Sequence, residues 1–203
     1  MHGIWAIILA AGESTRMKFP KMLLPFRGTT IIEQAIENVI NSQVDETVVV
    51  LGSGSDEIHK LIGKWPVKPC YNEDYKEGML SSVKCGFRFL PRYFEAALVF
   101  PGDQPMIAPE ITDRLISAFR SSGKGIVIPV FDNKRGHPLL IGSRYREDIE
   151  LLDPEQGLRG LARKYSHDVL EVEAGTADIL KDIDTKEDYL NETKNVKYYG
   201  RDN

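Results

Sequence analysis

A chain of 203 residues, 42% of them hydrophobic and 28% charged, has the composition of a globular protein and is long enough for one domain with a buried core. Its formal net charge of −4 gives no general attraction to nucleic acid or acidic membranes, so neither is expected as a partner. The two cysteines, Cys70 and Cys85, lie in no CxxC or Cys/His cluster, which argues against zinc and for reduced thiols in a cytoplasmic protein.

The first apolar run, Gly3–Leu9, has no basic leader and is too short to span a bilayer. It predicts a strand buried on both faces. Thr30–Asn41 predicts a helix, with Ile32, Ile36, Val39 and Ile40 on one face and a capping box from Thr30 to Glu33. A strand over Glu46–Leu51, a short helix over Ser55–Ile62 and a strand over Val67–Tyr71 follow. Met79–Leu90 reads as a helix with Met79, Val83, Phe87 and Leu90 inward, then Ala96–Pro101 as a strand and Pro109–Ser121 as a helix. Beyond these lie strands at Ile126–Val130 and Pro138–Ile141 and helices at Arg144–Leu151 and Leu158–Lys164. A last helix is started by the capping spacing of Thr185 and Asp188. Such alternation predicts a mostly parallel sheet with helices on both faces. The expected organisation is one domain over 1–191 and a polar tail over 192–203.

In such a sheet, ligands gather at the carboxyl ends of the strands, so the residues just after each strand matter most. The loop LAAGESTRMKFPK spans Leu9–Lys21. Ala10, Ala11 and Gly12 are small enough for backbone N–H groups to approach a flat base or a phosphate. Arg16, Lys18, Lys21 and Arg27 follow within twelve residues, opposed there only by Glu13, and suit a polyphosphate. A solvated surface loop would share that charge density. The Walker pattern is absent, and Gly52-Ser53-Gly54 is followed by Glu57 where a dinucleotide fingerprint needs glycine. Asp103, in Gly102-Asp103-Gln104-Pro105, is either a turn aspartate or a Mg²⁺ ligand. Asp184 is either a helix cap or a second ligand, with Asp182 and Asp188 close by. Ser81 and Ser82, in Gly78-Met79-Leu80-Ser81-Ser82, open a helix whose free N–H groups suit a phosphate, although serine capping alone would account for them.

The Leu9–Lys21 segment resembles the LAAGxSxRM…PK signature of nucleotidyltransferases with a Rossmann-like fold, and within them the molybdenum cofactor cytidylyltransferase family. The segments beginning at Gly78, Gly102, Arg135 (Arg135-Gly136-His137-Pro138) and Asp182 (Asp182-Ile183-Asp184-Thr185) agree in order, so the likeness runs from Ile4 to about Tyr189. It implies a three-layer α/β/α Rossmann-like nucleotidyltransferase that transfers CMP from CTP to the phosphate of molybdopterin, with Mg²⁺ on Asp103 and Asp184. A molybdenum hydroxylase apo-enzyme is the downstream partner it suggests. Leu9, Ala10, Ala11, Gly12, Arg16, Lys21, Gly102 and Asp103 would bind nucleotide, with Lys21 on the α-phosphate and Arg16 on the departing phosphates. Arg16, Lys21 and Asp103 are the catalytic candidates. Gly78, Ser81, Ser82, Gly136, His137 and Pro138 would bind the acceptor, although Leu80 departs from the family's Gly-Met-Ser-Ser-Ser. Arg159 is either a contact for an anionic pterin or a solvated helix residue. Alanine at position 11, where the related guanylyltransferases have glycine, implies a pyrimidine base, its methyl taking room a purine needs. The competing readings are a sugar- or alditol-phosphate nucleotidyltransferase and a non-catalytic molybdenum cofactor carrier.

Overall fold

The computed structural model describes residues 3–14, 16–17 and 19–194. Its core is β1 (Ile4–Ala10), every residue of which is buried. Alternation sends Ile4, Ala6, Ile8 and Ala10 to one face and Trp5, Ile7 and Leu9 to the other. This is why the run is apolar throughout: a central strand covered on both sides has no polar face. Each fully buried Ile contributes about 1.5–3 kcal/mol relative to exposure.

The remaining strands are β2 (Pro25–Phe26), β3 (Thr29–Thr30), β4 (Glu46–Leu51), β5 (Lys68–Tyr71), β6 (Ala96–Pro101), β7 (Ile126–Phe131), β8 (Lys134–Arg135), β9 (Leu139–Gly142) and β10 (Val169–Glu173). The main sheet runs β10-β7-β9-β6-β1-β4-β5, with β8 on β7. All its strands run the same way except β8 and β9, which are antiparallel to their neighbours. β2 and β3 form a separate small hairpin.

The helices are α1 (Ile31–Ile40), α2 (Ser55–Ile62), α3 (Met79–Phe89), α4 (Pro109–Ser122), α5 (Arg146–Glu150), α6 (Gly157–Lys164) and α7 (Lys186–Lys194). α1, α2 and α4 pack on the face of Ile4, and α3, α5 and α6 on the face of Ile7. The three expected layers are therefore present. α1 starts on the expected capping box: Thr30 Oγ1 accepts from Glu33 N–H, and the Glu33 carboxylate accepts from Thr30 N–H at 3.0 Å. Thr185 and Asp188 cap α7 reciprocally, at 2.7 and 3.1 Å. α7 continues to Lys194, past the expected start of the tail at 192, and residues 195–203 lie outside the described residues. Among the described residues no helix is long and apolar enough to cross a membrane.

Two expectations are corrected. Met79 does not face inward: it is 63% exposed, and Leu80 takes the buried position. Gly78 is the reason. It enters α3 at φ +99° and sets Met79, the first helical residue, at the mouth of the clefts described below, while Leu80, Val83 and Phe87 form the buried stripe. The edge strand β10 was not anticipated, because VLEVE has only half-buried apolar positions and alternates with glutamate.

Cys70 on β5 and Cys85 on α3 lie side by side, unjoined, with their sulfurs 3.2 Å apart. The hydrogen bond from Cys70, assisted by nearby Arg88, holds the Cys85 thiol below the usual range against the opposing effect of burial. The same bond and burial push Cys70 far above it. Cys85 is thus expected to be alkylated by iodoacetamide well before Cys70, as peptide mapping would show. A Cys70→Ala, Cys85→Ala variant should keep its turnover, since neither sulfur lines the cleft described below. Loss of turnover with unchanged folding would contradict this.

Candidate active site

The carboxyl ends of β1 and β6 are drawn together by one contact: Gly102 N–H donates to the Leu9 carbonyl at 2.9 Å. A side chain at Gly102 would lie 2.7 Å from that oxygen, so only glycine allows the approach. Asp103 follows directly. Its own backbone carbonyl accepts from Ile183 N–H at 3.0 Å, which brings the Asp182–Asp184 segment alongside. Asp188 takes the backbone N–H groups of Asp184 and Thr185, leaving the Asp184 carboxylate to face the site.

The loop after β1 folds back to meet these acids. Ser14 holds a positive φ of 53°, unusual outside glycine, and its hydroxyl accepts from Lys21 N–H at 3.2 Å. Lys21 therefore starts a 3₁₀ turn at a fixed place. Its ammonium donates to Asp103 Oδ2 at 2.5 Å and to Asp184 Oδ1 at 2.7 Å. Arg16 Nη2 reaches the other Asp184 oxygen at 2.7 Å. Burial opposes the charge of Asp184, but Lys21 and then Arg16 more than offset it and hold the carboxyl below its ordinary value. Lys21 is likewise pushed above its ordinary value, because the two carboxylates outweigh its burial. At Asp182 the opposing charge of Lys21 is outweighed. Partial desolvation and the charges of Asp184 and Asp103 push it up.

These residues line a cleft of about 350 Å³ together with Leu9, Ala11, Gly12, Ser14, Gly78, Ser82 and His137. A second cleft of about 400 Å³ adjoins it and shares Gly78, Met79 and His137. Its floor is apolar, with Leu80, Val83, Ile128, Leu139 and Ala162, and its walls carry both signs of charge: Arg135, which pairs with Glu171, and Arg159, with Glu77 and Glu155. The His137 ring stands between the two. Burial lowers its pKa, with Arg159 adding to this and Asp103 opposing it, which keeps the ring neutral at pH 7.

The expected residues divide clearly. Leu9, Ala11, Gly12, Arg16, Lys21 and Asp103 line the first cleft with Asp184, while Ala10 is fully buried in β1 and Gly102 acts through its backbone. Ala11 is 4% exposed, and its methyl lies close to Gly52. Gly136 and His137 line the second cleft, and Gly136 is glycine because a side chain there would collide with the Ile179 carbonyl. Pro138 is buried and lines neither cleft. Ser81 is turned onto its own helix start: its hydroxyl donates to the Asp74 and Gly78 carbonyls and accepts from Asn72. Ser82, whose hydroxyl accepts from Asn72 at 3.0 Å, lines the first cleft and not the second. Arg27 stacks on Phe26 in the hairpin, away from the acids, and Lys18 lies outside the described residues.

Gln104 and Tyr75 are among the lining residues of the first cleft that the sequence reading did not single out. Gln104 is 6% exposed, and its amide oxygen has no hydrogen-bond partner among the described residues. Its place in the Gly102–Pro105 segment was a usable signal. Tyr75, packed over Gly52, carried none.

No three acidic, His or Cys side chains converge into a metal cage among the described residues. The donor set is nonetheless suited to Mg²⁺, which takes hard oxygen ligands and commonly only one or two carboxylates beside phosphates and water. Asp103 and Asp184 supply two such carboxylates, already converging on a single cation.

Comparison with known proteins identifies the family. The model of the MobA-like NTP transferase domain family matches residues 6–169, which takes in Asp103 and His137 and stops short of Asp184. The chain is 29% identical over 191 residues to the molybdenum cofactor cytidylyltransferase of Escherichia coli (strain K12), covering 94% of this chain and 95% of that one. It is 28% identical over 193 residues to the nicotine blue oxidoreductase of Paenarthrobacter nicotinovorans, covering 91% and 93%. A nucleotidyl transferase from Methanothermobacter thermautotroptrophicus superimposes with a TM-score of 0.84 at 25% identity, over 98% of this chain and 99% of that one. With its acids and basic loop meeting at the carboxyl ends of β1 and β6, the chain belongs to the MobA-like NTP transferase domain family and is a nucleotidyltransferase.

Proposed function

We propose that this enzyme transfers CMP from CTP to the phosphate of molybdopterin or a closely similar cofactor, releasing pyrophosphate, in the cytoplasm. The observation that carries the reading is the pair of adjoining clefts: one joins the basic loop to two carboxylates, the other has an apolar floor with Arg159 at its wall. The first suits a nucleoside triphosphate. The second suits a flat ring system bearing an anionic group. His137 stands at their junction, where the reacting phosphates would meet.

In the reaction, an oxygen of the acceptor phosphate forms a bond to the α-phosphorus, and the bond to the β-phosphate oxygen breaks, sending its electron pair out with pyrophosphate. The acceptor oxygen is already anionic, so no strong base is required, and catalysis comes from positioning and charge neutralisation. Backbone groups at Ala11 and Gly12 would receive the nucleotide, Lys21 the α-phosphate oxygens and Arg16 the departing phosphates. Neutral His137 can donate one ring N–H to the acceptor phosphate. Ser82 lines the cleft of the basic loop, which suits it to the nucleotide. Mg²⁺ held by Asp103 and Asp184 would supply Lewis-acid stabilisation of the charge developing on the phosphates. A molybdenum hydroxylase apo-enzyme is the consumer this product implies.

The relative named as an oxidoreductase raises a redox reading, but the missing dinucleotide fingerprint and the pairing of Lys21 and Arg16 with two acids favour phosphoryl chemistry. A non-catalytic carrier would need none of those four side chains.

The test is pyrophosphate release by the purified protein with Mg²⁺, each of the four triphosphates, and either molybdopterin or a sugar phosphate. CTP is expected to exceed GTP in kcat/KM by roughly 10–200-fold, the discrimination that modest differences in pocket size provide. GTP equal to or better than CTP would reject the base assignment. Faster turnover with the sugar phosphate would reject the acceptor.

A further inference from the structure

Lys21 contacts both proposed metal ligands at once. Its ammonium is 2.5 Å from Asp103 Oδ2 and 2.7 Å from Asp184 Oδ1, with its side chain only 10% exposed. Arg16 occupies the remaining Asp184 oxygen, at 2.7 Å. Both cations assigned to the triphosphate are therefore engaged with carboxylates when no nucleotide is bound.

We propose that Lys21 is the resident cation of the metal site in the nucleotide-free enzyme, and that the triphosphate must draw it away before a divalent ion settles between Asp103 and Asp184. This rests on the reading of those two aspartates as metal ligands. A Mg²⁺ ion sits about 2.0–2.1 Å from its oxygens. Sharing Asp103 Oδ2 with the ammonium would hold the two cations no more than about 4.6 Å apart in a partly dry cleft, where repulsion is strong. The magnesium ion also dehydrates reluctantly, so it competes poorly against a lysine tethered in place.

A triphosphate changes that balance by offering the ammonium other oxygens. The Lys21 backbone is pinned by its N–H bond to Ser14, so the change needs only rotation of a flexible four-carbon stem. Arg16, whose side chain is 69% exposed, can leave Asp184 equally readily. Metal and nucleotide then bind with positive coupling, each favouring the other by the same factor. The enzyme stays free of divalent ions until its substrate arrives.

Mn²⁺ alone is the probe, its free concentration followed by electron paramagnetic resonance, with no nucleotide and no turnover involved. Lys21→Met should bind Mn²⁺ more tightly than wild type by roughly 5–150-fold, the usual range of coupling between sites. Lys21→Gln, which keeps a hydrogen-bonding partner for the acids, should do the same and serves if the Met variant does not fold. Lys21→Arg, which restores the charge, should stay as weak as wild type. Adding Asp103→Asn to Lys21→Met should abolish the gain. A folded Met or Gln variant that binds Mn²⁺ no tighter than wild type overturns the proposal while leaving the metal ligands in place. A gain that survives Asp103→Asn overturns the assignment of the ligands themselves, and the proposal with it.

Discussion

Asp103→Asn is expected to fold normally and to turn over at least ~100-fold more slowly, the scale of loss seen when a major electrostatic stabiliser is removed from a reaction centre. The substitution is nearly isosteric. It spares the backbone carbonyl of residue 103, which accepts from Ile183 N–H, so the Asp182–Asp184 segment should stay in place. What is lost is one negative charge at the point where Lys21 is held. The amide can still accept a hydrogen bond from the ammonium but is a poor Mg²⁺ ligand. Measuring kcat beside the thermal midpoint separates the two effects. Near-normal turnover in a folded variant would remove Asp103 from the metal site.

Gly102→Ala should be damaging for a different reason. The added methyl would meet the Leu9 carbonyl at 2.7 Å and the end of the Met22 side chain at 3.1 Å. Met22 can yield, but Leu9 lies in the central strand, paired on both sides, and cannot. The ends of β1 and β6 must separate, which costs about 1–3 kcal/mol of stability. The loop bearing Gly12 and Lys21 then shifts relative to Asp103. A displacement near 1 Å at such a centre can lower turnover by about 100-fold. Urea unfolding and kcat measured together would show both losses. Unchanged values of each would mean that the contact is not restrictive.

The layers were legible in the sequence because apolar periodicity and capping boxes are local signals. Thr30 with Glu33, and Thr185 with Asp188, act in the structure as their spacing predicts. β10 was missed because an edge strand needs no continuous apolar run, and Met79 was misplaced because a helix wheel does not show that the helix start opens onto a cleft. At the site, the motifs named the acids and the basic loop. They did not reveal that Lys21 bridges the two acids, since its partners lie 82 and 163 residues away. Nor did they separate Ser81, turned onto carbonyls of its own segment, from Ser82, which lines the first cleft. Such distinctions depend on side-chain direction, which residue type and spacing leave open.

The long separation between Lys21 and Asp184 bears on when the protein becomes active during its own synthesis. Domains begin to form from the N-terminal side as the chain leaves the ribosome. β1, β4, β5 and β6 form one continuous stretch of the sheet and belong to the first half of the chain, so they can pair early. Through that period Lys21 has only Asp103 to neutralise it, and Arg16 has no carboxylate partner. The charge cluster closes only when Ile183 docks on the Asp103 carbonyl, nearly at the end of translation. A chain cut just after β10 should therefore build the sheet yet lack the Asp184 carboxylate that Lys21 and Arg16 share.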